Sequence, residues 1–470
     1  MASSSIINWS YICQVMFFAL SLFLQLLPSE IEGIGAKVES LLGYDGPLPF
    51  HLETGYIGLG DSDDDMQVFY YFIKSENNPK NDPLLLWLTG GPGCSSFSGL
   101  SFQIGPMKFK IEEYDGSLPK LIPRPQSWTK VANIIFVDLP MGTGFSYAKN
   151  IFPHRSDWKF VHQTHRFIRK WLAENPEFLS NKFYMAADSY SGIPAPPITQ
   201  EIADGNERGL EPRINLQGYI LGNPLTSREE DNDRIPYVHG MGLISDELYW
   251  SLKKTCKGNI INVDSTNKLC VNDMEYYHEL LEDVELYNIL EIYCVHLHDP
   301  VKGTRWSPKR SLSEKIKAYP VPDIRCPIYD YFLCTEWMNN PAVRSALHIR
   351  EGTIEKWKVC YSDNYVHDIR SSVPFHANLS VKGYPSLIYS GDHDAVIPFS
   401  STQRWIRSLN YSIVDDWRPW YLNDQVAGYT RTYSNQMTFA TIRGAGHTSQ
   451  ETKPDEGFAM FARWISNKPL

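Results

Sequence analysis

The chain has 470 residues, of which 43% are hydrophobic and 21% are charged, so it contains enough apolar material for a large core and lacks the composition of a disordered protein. Its formal net charge is −10, and an acidic chain offers no broad basic surface to a nucleic acid. We therefore expect a folded protein that does not bind nucleic acid.

The N-terminus carries an apolar stretch, VMFFALSLFLQLL, at residues 15–27. It is too short for a comfortable membrane span and lies where the apolar region of a secretory signal peptide is expected. We predict that residues 1–35 are a signal peptide and that no stable membrane anchor remains. The protein would then enter the secretory pathway and be secreted or vacuolar. A retained N-terminal anchor is the alternative.

The cysteines and two asparagines agree with export. Because Cys13 lies in the predicted signal peptide, seven cysteines remain, and an odd number allows at most three disulfides and leaves one thiol. Asn378 and Asn410 each begin an Asn-X-Ser sequon, so we predict exposed, glycosylated asparagines at both positions. Tripeptides of this kind also arise by chance.

Several apolar runs are continuous along the chain, which is typical of strands buried on both faces of a parallel sheet. We predict such strands, or strand ends, at residues 70–73, 84–88, 132–138, 182–187, 214–223, 386–390 and 439–443. Between two of the runs a helix is predicted after Ser156, a suitable N-cap, because apolar residues recur there at helical spacing: Trp158, Val161, Ile168, Trp171 and Leu172. This alternation predicts an α/β fold with a mostly parallel, doubly wound sheet.

Ser189 stands where an apolar run gives way to a helix-compatible stretch, in the segment KFYMAADSYSGIPAPPI at 182–198. This is the layout of a nucleophile elbow, in which a serine sits on a sharp turn between small residues. The usual pattern is G-x-S-x-G, and here Ala187 and Ser191 occupy the glycine positions. The motif alone is weak, because small residues around a serine are common in loops.

Glycine loops after other strands supply possible partners for Ser189. Gly90 and Gly91 follow the run at 84–88, and adjacent glycines let backbone N–H groups face a ligand, as an oxyanion site requires. A plain glycine-rich turn is the competing interpretation at this point.

An acid and a base follow the last two predicted strands. Asp394 lies in an acidic loop after residues 386–390, and we prefer it to Asp392, which follows the glycine turn too closely. His447 stands on a glycine loop after the last strand. The order Ser189, Asp394, His447 is that of an α/β-hydrolase triad.

The pattern changes after about residue 226 to charged, aromatic-rich helical stretches. We predict an inserted helical cap at 226–335 that covers the site and divides the core into residues 36–225 and 336–470. Within the cap, residues 299–323 are rich in Pro, Lys and Arg. A solvated loop is the default interpretation of this segment, and a linker that is removed by proteolysis is the more specific alternative.

The chain resembles plant serine carboxypeptidase-like proteins from about Leu48 to its end. The resemblance is carried by WLTGGPGCSSFSGL at 87–100, DLPMGTGFSY at 138–147, ADSYSG at 187–192, GDHDAVIP at 391–398 and GAGHT at 444–448. It implies the α/β-hydrolase fold, the triad Ser189, Asp394 and His447, and an oxyanion hole formed by the N–H groups of Gly91 and Tyr190. It also implies the disulfides Cys94–Cys360, Cys256–Cys270 and Cys294–Cys326, with Cys334 free.

The substrate site departs from that of the peptidases in this family, which usually have Asn, Glu and Glu where this chain has Thr89, Asp188 and Gln103. In a peptidase, Asn donates to the terminal carboxylate of the peptide, and a carboxyl group beside it donates only when protonated, which fits activity at acid pH. We therefore take Thr89, Gly90, Asp188 and Gln103 as candidate substrate-binding residues. The substituted set looks like that of family members that transfer an acyl group from a 1-O-acyl-glucose ester to a metabolite hydroxyl.

Three functions compete for this chain. An acyltransferase that uses a small-molecule acyl-glucose donor and a hydroxyl acceptor is the first. A serine carboxypeptidase that binds a peptide C-terminus at acid pH is the second, and a non-catalytic binding protein is the third. The complete triad argues against the third, and neither enzyme needs a metal ion or an organic cofactor. Nothing in the sequence predicts an oligomeric state.

Overall fold

The computed structural model describes residues 35–60, 66–148, 155–294 and 322–470, with the backbone alone at 230–232. The predicted signal peptide, apart from its last residue, and the predicted linker at 299–323, apart from its last two residues, lie outside the described residues. Among the helices of the described ranges, none is long and apolar enough to cross a membrane.

Strands occupy all seven of the predicted apolar runs, and further strands lie outside them. They are β1 (Ala36–Lys37), β2 (Leu52–Gly58), β3 (Met66–Ile73), β4 (Leu84–Leu88), β5 (Met107–Phe109), β6 (Leu121–Pro123), β7 (Asn133–Val137), β8 (Tyr147–Ala148), β9 (Arg155–Ser156), β10 (Phe183–Asp188), β11 (Leu216–Gly222), β12 (Tyr365–Val366), β13 (Ser386–Gly391), β14 (Ile413–Leu422), β15 (Gln425–Tyr433) and β16 (Met437–Ile442). In the described part of the chain the main sheet has 12 strands, in the order β1-β2-β3-β7-β4-β10-β11-β13-β16-β15-β14, with β8 beside β3. The strands from β7 to β16 in this order are parallel, which confirms the predicted mostly parallel sheet.

Helices connect and cover these strands. They are α1 (Asp157–Glu174), α2 (Ala195–Glu207), α3 (Arg234–Gly240), α4 (Asp246–Thr255), α5 (Lys268–Leu280), α6 (Tyr329–Met338), α7 (Pro341–Ala346), α8 (Val373–Val381), α9 (Phe399–Ser408), α10 (Ser449–Thr452) and α11 (Pro454–Ile465), with a π-helical turn at Gly99–Ile104. The helix α1 begins after the predicted cap, because Ser156 Oγ accepts a hydrogen bond from the Lys159 N–H at 3.3 Å. Trp158 shares the helical spacing of Val161 and Ile168, which are buried, but is itself exposed.

The two faces of the sheet carry separate hydrophobic clusters. Along β4, Leu85 and Trp87 belong to one cluster, and Leu84, Leu86 and Leu88 belong to the other. This division follows from the alternation of side chains in a strand. Helices α1, α2 and α9 cover one face, and α6 and α11 cover the other, so the sheet is doubly wound as predicted.

Helices α3, α4 and α5 form a third cluster of their own, and we call residues 234–294 the helical insertion. Its core includes Ile235, Leu252 and Met274, and it packs on Ala395 of the loop after β13. By contrast, α6 packs with the first cluster of the main sheet. The predicted cap boundaries at 226–335 stay a prediction.

The antiparallel hairpin β14–β15 at one edge of the sheet is not predicted from the strand pattern. Its turn holds Asn423 and Asp424 at φ of 49° and 59°. Two consecutive residues with positive φ form the turn type that suits a two-residue hairpin loop, and Asn and Asp tolerate it. The pair Asn-Asp is therefore the signal that could have located this hairpin.

The structure joins Cys94 to Cys360, Cys256 to Cys270 and Cys294 to Cys326, and Cys334 is free. Both sequon asparagines are exposed, Asn378 on α8 and Asn410 two residues after α9, and their glycosylation stays a prediction. Cys334 is fully buried in α6, and burial raises the pKa of its thiol well above the usual value.

We expect one thiol per molecule in protein that lacks the first 35 residues. Ellman's reagent should detect it only slowly in native protein, because the Cys334 thiol is buried and protonated, and fully after denaturation. A Cys334→Ser variant is the control and should give no signal. More than one thiol after denaturation, or fast labelling of the native protein, would contradict the disulfide pattern.

Candidate active site

The residues singled out in the sequence meet at one edge of the sheet. Because β4, β10, β11, β13 and β16 are parallel, their carboxyl ends lie side by side, which is where ligands bind in open α/β sheets. The residues that follow these ends are Gly90, Ser189, Asn223, Asp394 and His447.

Ser189, His447 and Asp394 are linked by hydrogen bonds. The distance from His447 Nε2 to Ser189 Oγ is 2.7 Å, and from His447 Nδ1 to Asp394 Oδ2 it is also 2.7 Å. Asp394 is 0% exposed and His447 is 6% exposed. With its Nδ1–H donating to the carboxylate, the imidazole presents Nε2 to the serine hydroxyl as a proton acceptor.

The charge of Asp394 controls the basicity of His447. Burial disfavours the imidazolium, but the carboxylates of Asp394 and, more weakly, Asp188 outweigh that cost and raise the pKa of His447 above its usual value. An imidazole with a raised pKa is a stronger base for the serine proton. The arrangement can therefore support nucleophilic attack by Ser189.

The turn at Ser189 is strained in the manner of a nucleophile elbow. Ser189 has a φ of 52°, in the left-handed region that L-residues avoid. Ala187 and Ser191, at the positions of the usual glycines, are fully buried, and Ser191 Oγ donates to the carbonyl of Thr89 at 3.0 Å. Both side chains are therefore small enough for the turn.

The glycine loop after β4 faces the elbow closely. A Cβ atom on Gly90 would lie 2.5 Å from Ser189 Cβ and 2.8 Å from Tyr190 N, so only glycine fits there. Gly91 has a φ of 121°, which also favours glycine. The expected oxyanion donors, the N–H groups of Gly91 and Tyr190, belong to these two facing segments.

Asp138 connects the glycine-containing segment 138–147 to the glycine loop after β4. Its buried carboxylate accepts hydrogen bonds from Ser95 Oγ at 2.6 Å, from Ser96 N–H at 3.1 Å and from Phe145 N–H at 3.0 Å. The Cys94–Cys360 disulfide lies directly before these serines. The loop that carries Gly91 is thus held by the Asp138 hydrogen bonds and by the Cys94–Cys360 disulfide.

Two groups around the site are absent from the sequence-based set. Asn223, which follows β11 and has a φ of 41°, donates from Nδ2 to Asp394 Oδ2 at 2.8 Å, and its Oδ1 accepts from Ser449 Oγ at 2.8 Å. Tyr190 Oη donates to the buried carboxylate of Asp157 at 2.6 Å. A polar residue at a strand end was the available signal for Asn223, and no local pattern marks Asp157.

The candidate substrate residues form a second network beside the triad. Asp188 Oδ1 accepts from the Gly90 N–H at 2.8 Å, and Asp188 Oδ2 accepts from Gln103 Nε2 at 2.8 Å. Gln103 is 3% exposed, and its Oε1 has no partner among the described residues. Thr89 Oγ1 accepts from Trp87 Nε1 at 3.1 Å. Burial raises the pKa of Asp188, although the bonds from Gln103 and Gly90 and the charge of His447 oppose that rise.

A family model described as serine carboxypeptidase matches residues 43–467 of the chain. The chain belongs to the serine carboxypeptidase family. Serine carboxypeptidase-like 11 of Arabidopsis thaliana is 51% identical over 441 residues, which cover 93% of this chain and 96% of the relative. Serine carboxypeptidase-like 19 of the same plant is 49% identical over 465 residues, or 97% and 99% of the two chains. The resemblance to plant serine carboxypeptidase-like proteins is confirmed.

Among solved structures, Kex1(Δ)p, a prohormone-processing carboxypeptidase from Saccharomyces cerevisiae, matches with a TM-score of 0.73 at 20% identity, over 94% of this chain and 97% of that one. This likeness concerns the fold alone and confirms the α/β-hydrolase fold. The disulfides and the family together indicate a protein of the secretory pathway. Among the described residues, no group of three or more His, Cys, Asp or Glu side chains could hold a metal ion.

The charge of Asp188 should be visible in the pH dependence of Ser189 reactivity. His447 must be neutral to accept the serine proton, so the rate is lost as pH falls through the raised pKa of His447. Asp188→Asn removes a carboxylate that stabilises the imidazolium, so it should lower that pKa and move the acid limb to lower pH. The measurement is the pH profile of Ser189 labelling by a fluorophosphonate.

Asp115→Asn, at an exposed carboxylate outside these networks, is the control and should leave the limb in place. A limb that stays unchanged in Asp188→Asn, or moves to higher pH, would contradict the assigned electrostatics.

Proposed function

We propose that this protein is an acyltransferase in which Ser189 takes an acyl group from a 1-O-acyl-glucose ester and passes it to the hydroxyl of a second metabolite. The observation that carries the proposal is the hydrogen bonding of Asp188. Both of its oxygens accept from fixed donors, the Gly90 N–H and the Gln103 amide. A peptidase of this family is expected to have glutamates at the positions of Asp188 and Gln103, and these two carboxyl groups would have to share a proton. With Gln103 in place of one of them, this site needs no shared proton.

The remaining polar atoms favour a hydroxyl over a carboxylate. Gln103 Nε2 donates to Asp188, and the polar atom of this side chain without a partner among the described residues is the carbonyl oxygen Oε1, which can only accept a hydrogen bond. An acceptor repels the terminal carboxylate of a peptide and suits a sugar or alcohol hydroxyl. Thr89 has one proton to donate, against two on the Asn of the peptidases.

The mechanism uses the triad twice. His447 accepts the Ser189 proton while the serine oxygen attacks the ester carbonyl, and the N–H groups of Gly91 and Tyr190 stabilise the oxyanion. The C–O bond to glucose breaks and His447 gives its proton to the departing glucose oxygen. His447 then accepts the proton of the acceptor hydroxyl as its oxygen attacks the acyl-enzyme, the C–O bond to Ser189 breaks, and His447 returns the proton to Ser189 Oγ. Asp394 stabilises the imidazolium in both halves.

The remaining sequence predictions complete the proposal. We propose a signal peptide at 1–35, a mature protein that is secreted or vacuolar with glycans at Asn378 and Asn410, and a cap at 226–335 that covers the site. Excision of residues 299–323 would leave two chains joined by the Cys94–Cys360 and Cys294–Cys326 disulfides.

The test of the reaction lies in Thr89, Asp188 and Gln103. The wild type should acylate an acceptor from an acyl-glucose ester and should cleave N-blocked dipeptides poorly even at acid pH. The combined change Thr89→Asn, Asp188→Glu and Gln103→Glu should raise peptide cleavage, because a missing partner for a buried carboxylate can cost roughly 2–5 kcal/mol, or tens to thousands of fold in rate. Both rates are measured over panels of acyl-glucoses, acceptors and dipeptides.

Ser189→Ala is the control for both activities and should abolish them, because the acyl-enzyme cannot form. Efficient dipeptide cleavage by the wild type, without transfer from any acyl-glucose tried, would reverse the assignment in favour of a serine carboxypeptidase.

A further inference from the structure

The loop that carries Asp394, residues 392–397, is bound by the helical insertion along most of its length. We call it the acid loop. Tyr237 Oη, on α3, donates to the carbonyl of Asp392 at 2.8 Å. From the far end of the insertion, the Ile289 N–H donates to the carbonyl of His393 at 3.1 Å, and the Leu286 carbonyl accepts from the Ala395 N–H at 2.9 Å. The acid loop is thus an interface between the sheet and the insertion.

Arg234, the first residue of α3, makes the most specific of these contacts. Its Nε donates to the carbonyl of Ala395 at 2.9 Å, and one of its terminal nitrogens donates to the carbonyl of Val396 at 3.0 Å. A planar guanidinium can make two such bonds at once in a fixed geometry.

The two peptide groups that Arg234 binds are the same two that hold Asp394. The Ala395 carbonyl shares its peptide group with the Val396 N–H, which donates to Asp394 Oδ1 at 2.7 Å. The Val396 carbonyl shares its peptide group with the Ile397 N–H, which donates to the same oxygen at 3.0 Å. Each peptide group therefore has the guanidinium at its oxygen end and the carboxylate at its N–H end.

This arrangement strengthens and orients the bonds to the carboxylate. A cation on a carbonyl oxygen polarises the peptide group, and chains of hydrogen bonds reinforce one another in a low-dielectric interior. Asp394 Oδ1 is held by these two N–H groups, which leaves Oδ2 to face His447 Nδ1 and Asn223 Nδ2. The direction of the carboxylate toward His447 thus depends on a side chain from the insertion.

The insertion also touches the base directly. The Tyr287 backbone carbonyl accepts a hydrogen bond from the backbone N–H of His447 at 2.6 Å. The Tyr287 ring lies edge-on to the imidazole, with ring centroids 5.3 Å apart. The helical insertion therefore contacts both the loop that carries Asp394 and His447 itself.

We propose that Arg234 is a positioning residue for the triad, which acts on Asp394 through the peptide groups 395–396 and 396–397 and makes the helical insertion part of the catalytic framework. This inference rests on the proposed roles of Ser189, His447 and Asp394, which the acyltransferase and the carboxypeptidase share. It does not depend on which of the two reactions occurs.

The test compares Arg234 variants by the second-order rate of Ser189 labelling with a fluorophosphonate, which needs no knowledge of the substrate. Arg234→Gln should slow labelling roughly ten- to a hundred-fold, because small misplacements of catalytic groups cost about that much. Arg234→Lys keeps the charge but not the planar pair of donors, so its rate should lie between those of Arg234→Gln and the wild type. With an ester substrate, kcat should fall while KM stays near the wild-type value.

Two matched variants separate this role from general anchoring. Tyr237→Phe removes another bond from α3 to the acid loop, but at a peptide group that does not donate to Asp394, so the loss in rate should be about threefold or less. Arg404→Gln removes an arginine whose guanidinium lies 2.8 Å from the carboxylate of Asp233, the residue that precedes Arg234. This variant should be labelled at the wild-type rate.

The outcomes distinguish the inference from the proposed function. If the wild type is not labelled, or Ser189→Ala is labelled equally, the proposed triad is wrong and the inference fails with it. If the wild type is labelled and folded Arg234→Gln reacts at the same rate, the inference alone is overturned. Should Arg234→Gln fail to fold, the Arg234→Lys rate decides, because a wild-type rate in that variant would also overturn the inference.

Discussion

The buried hydrogen bond between Asp394 and His447 is the interaction on which the rest of the site depends. A carboxylate that is fully removed from solvent is costly unless donors surround it. Here Oδ2 accepts from His447 Nδ1 and Asn223 Nδ2, while Oδ1 accepts from two backbone N–H groups of the acid loop. These donors satisfy both oxygens of the buried Asp394 carboxylate, which in turn raises the pKa of His447.

The donors come from parts of the chain that are distant in sequence. Asn223 is separated from Asp394 by 171 positions, and His447 from Ser189 by 258. The parallel sheet brings them together, because each follows the carboxyl end of a neighbouring strand. The helical insertion adds Arg234 and the Tyr287 carbonyl from outside the sheet. The sheet therefore places these side chains at one of its edges, and the helical insertion binds the acid loop at that edge.

Much of this arrangement can be predicted from the sequence, for definite physical reasons. Continuous apolar runs mark strands buried on both faces, and glycine loops mark close backbone approach, as at Gly90. The roles of Asn223 and Arg234 cannot be predicted in this way, because no local pattern tells which loop a polar side chain will face. The hairpin at 413–433 is also missed, since its alternating, half-exposed strands lack the continuous apolar signal.

In the proposed reaction, Ser189 carries an acyl group between a sugar ester and a second hydroxyl. The most direct measurement is intact-mass and peptide mass spectrometry of the wild type mixed rapidly with an acyl-glucose ester, with and without a candidate acceptor. We expect an added acyl mass on the peptide that contains Ser189. When an acceptor is present, this mass should disappear faster and the new ester should form. No adduct with any acyl-glucose, together with cleavage of a peptide offered in the same assay, would contradict the proposed reaction.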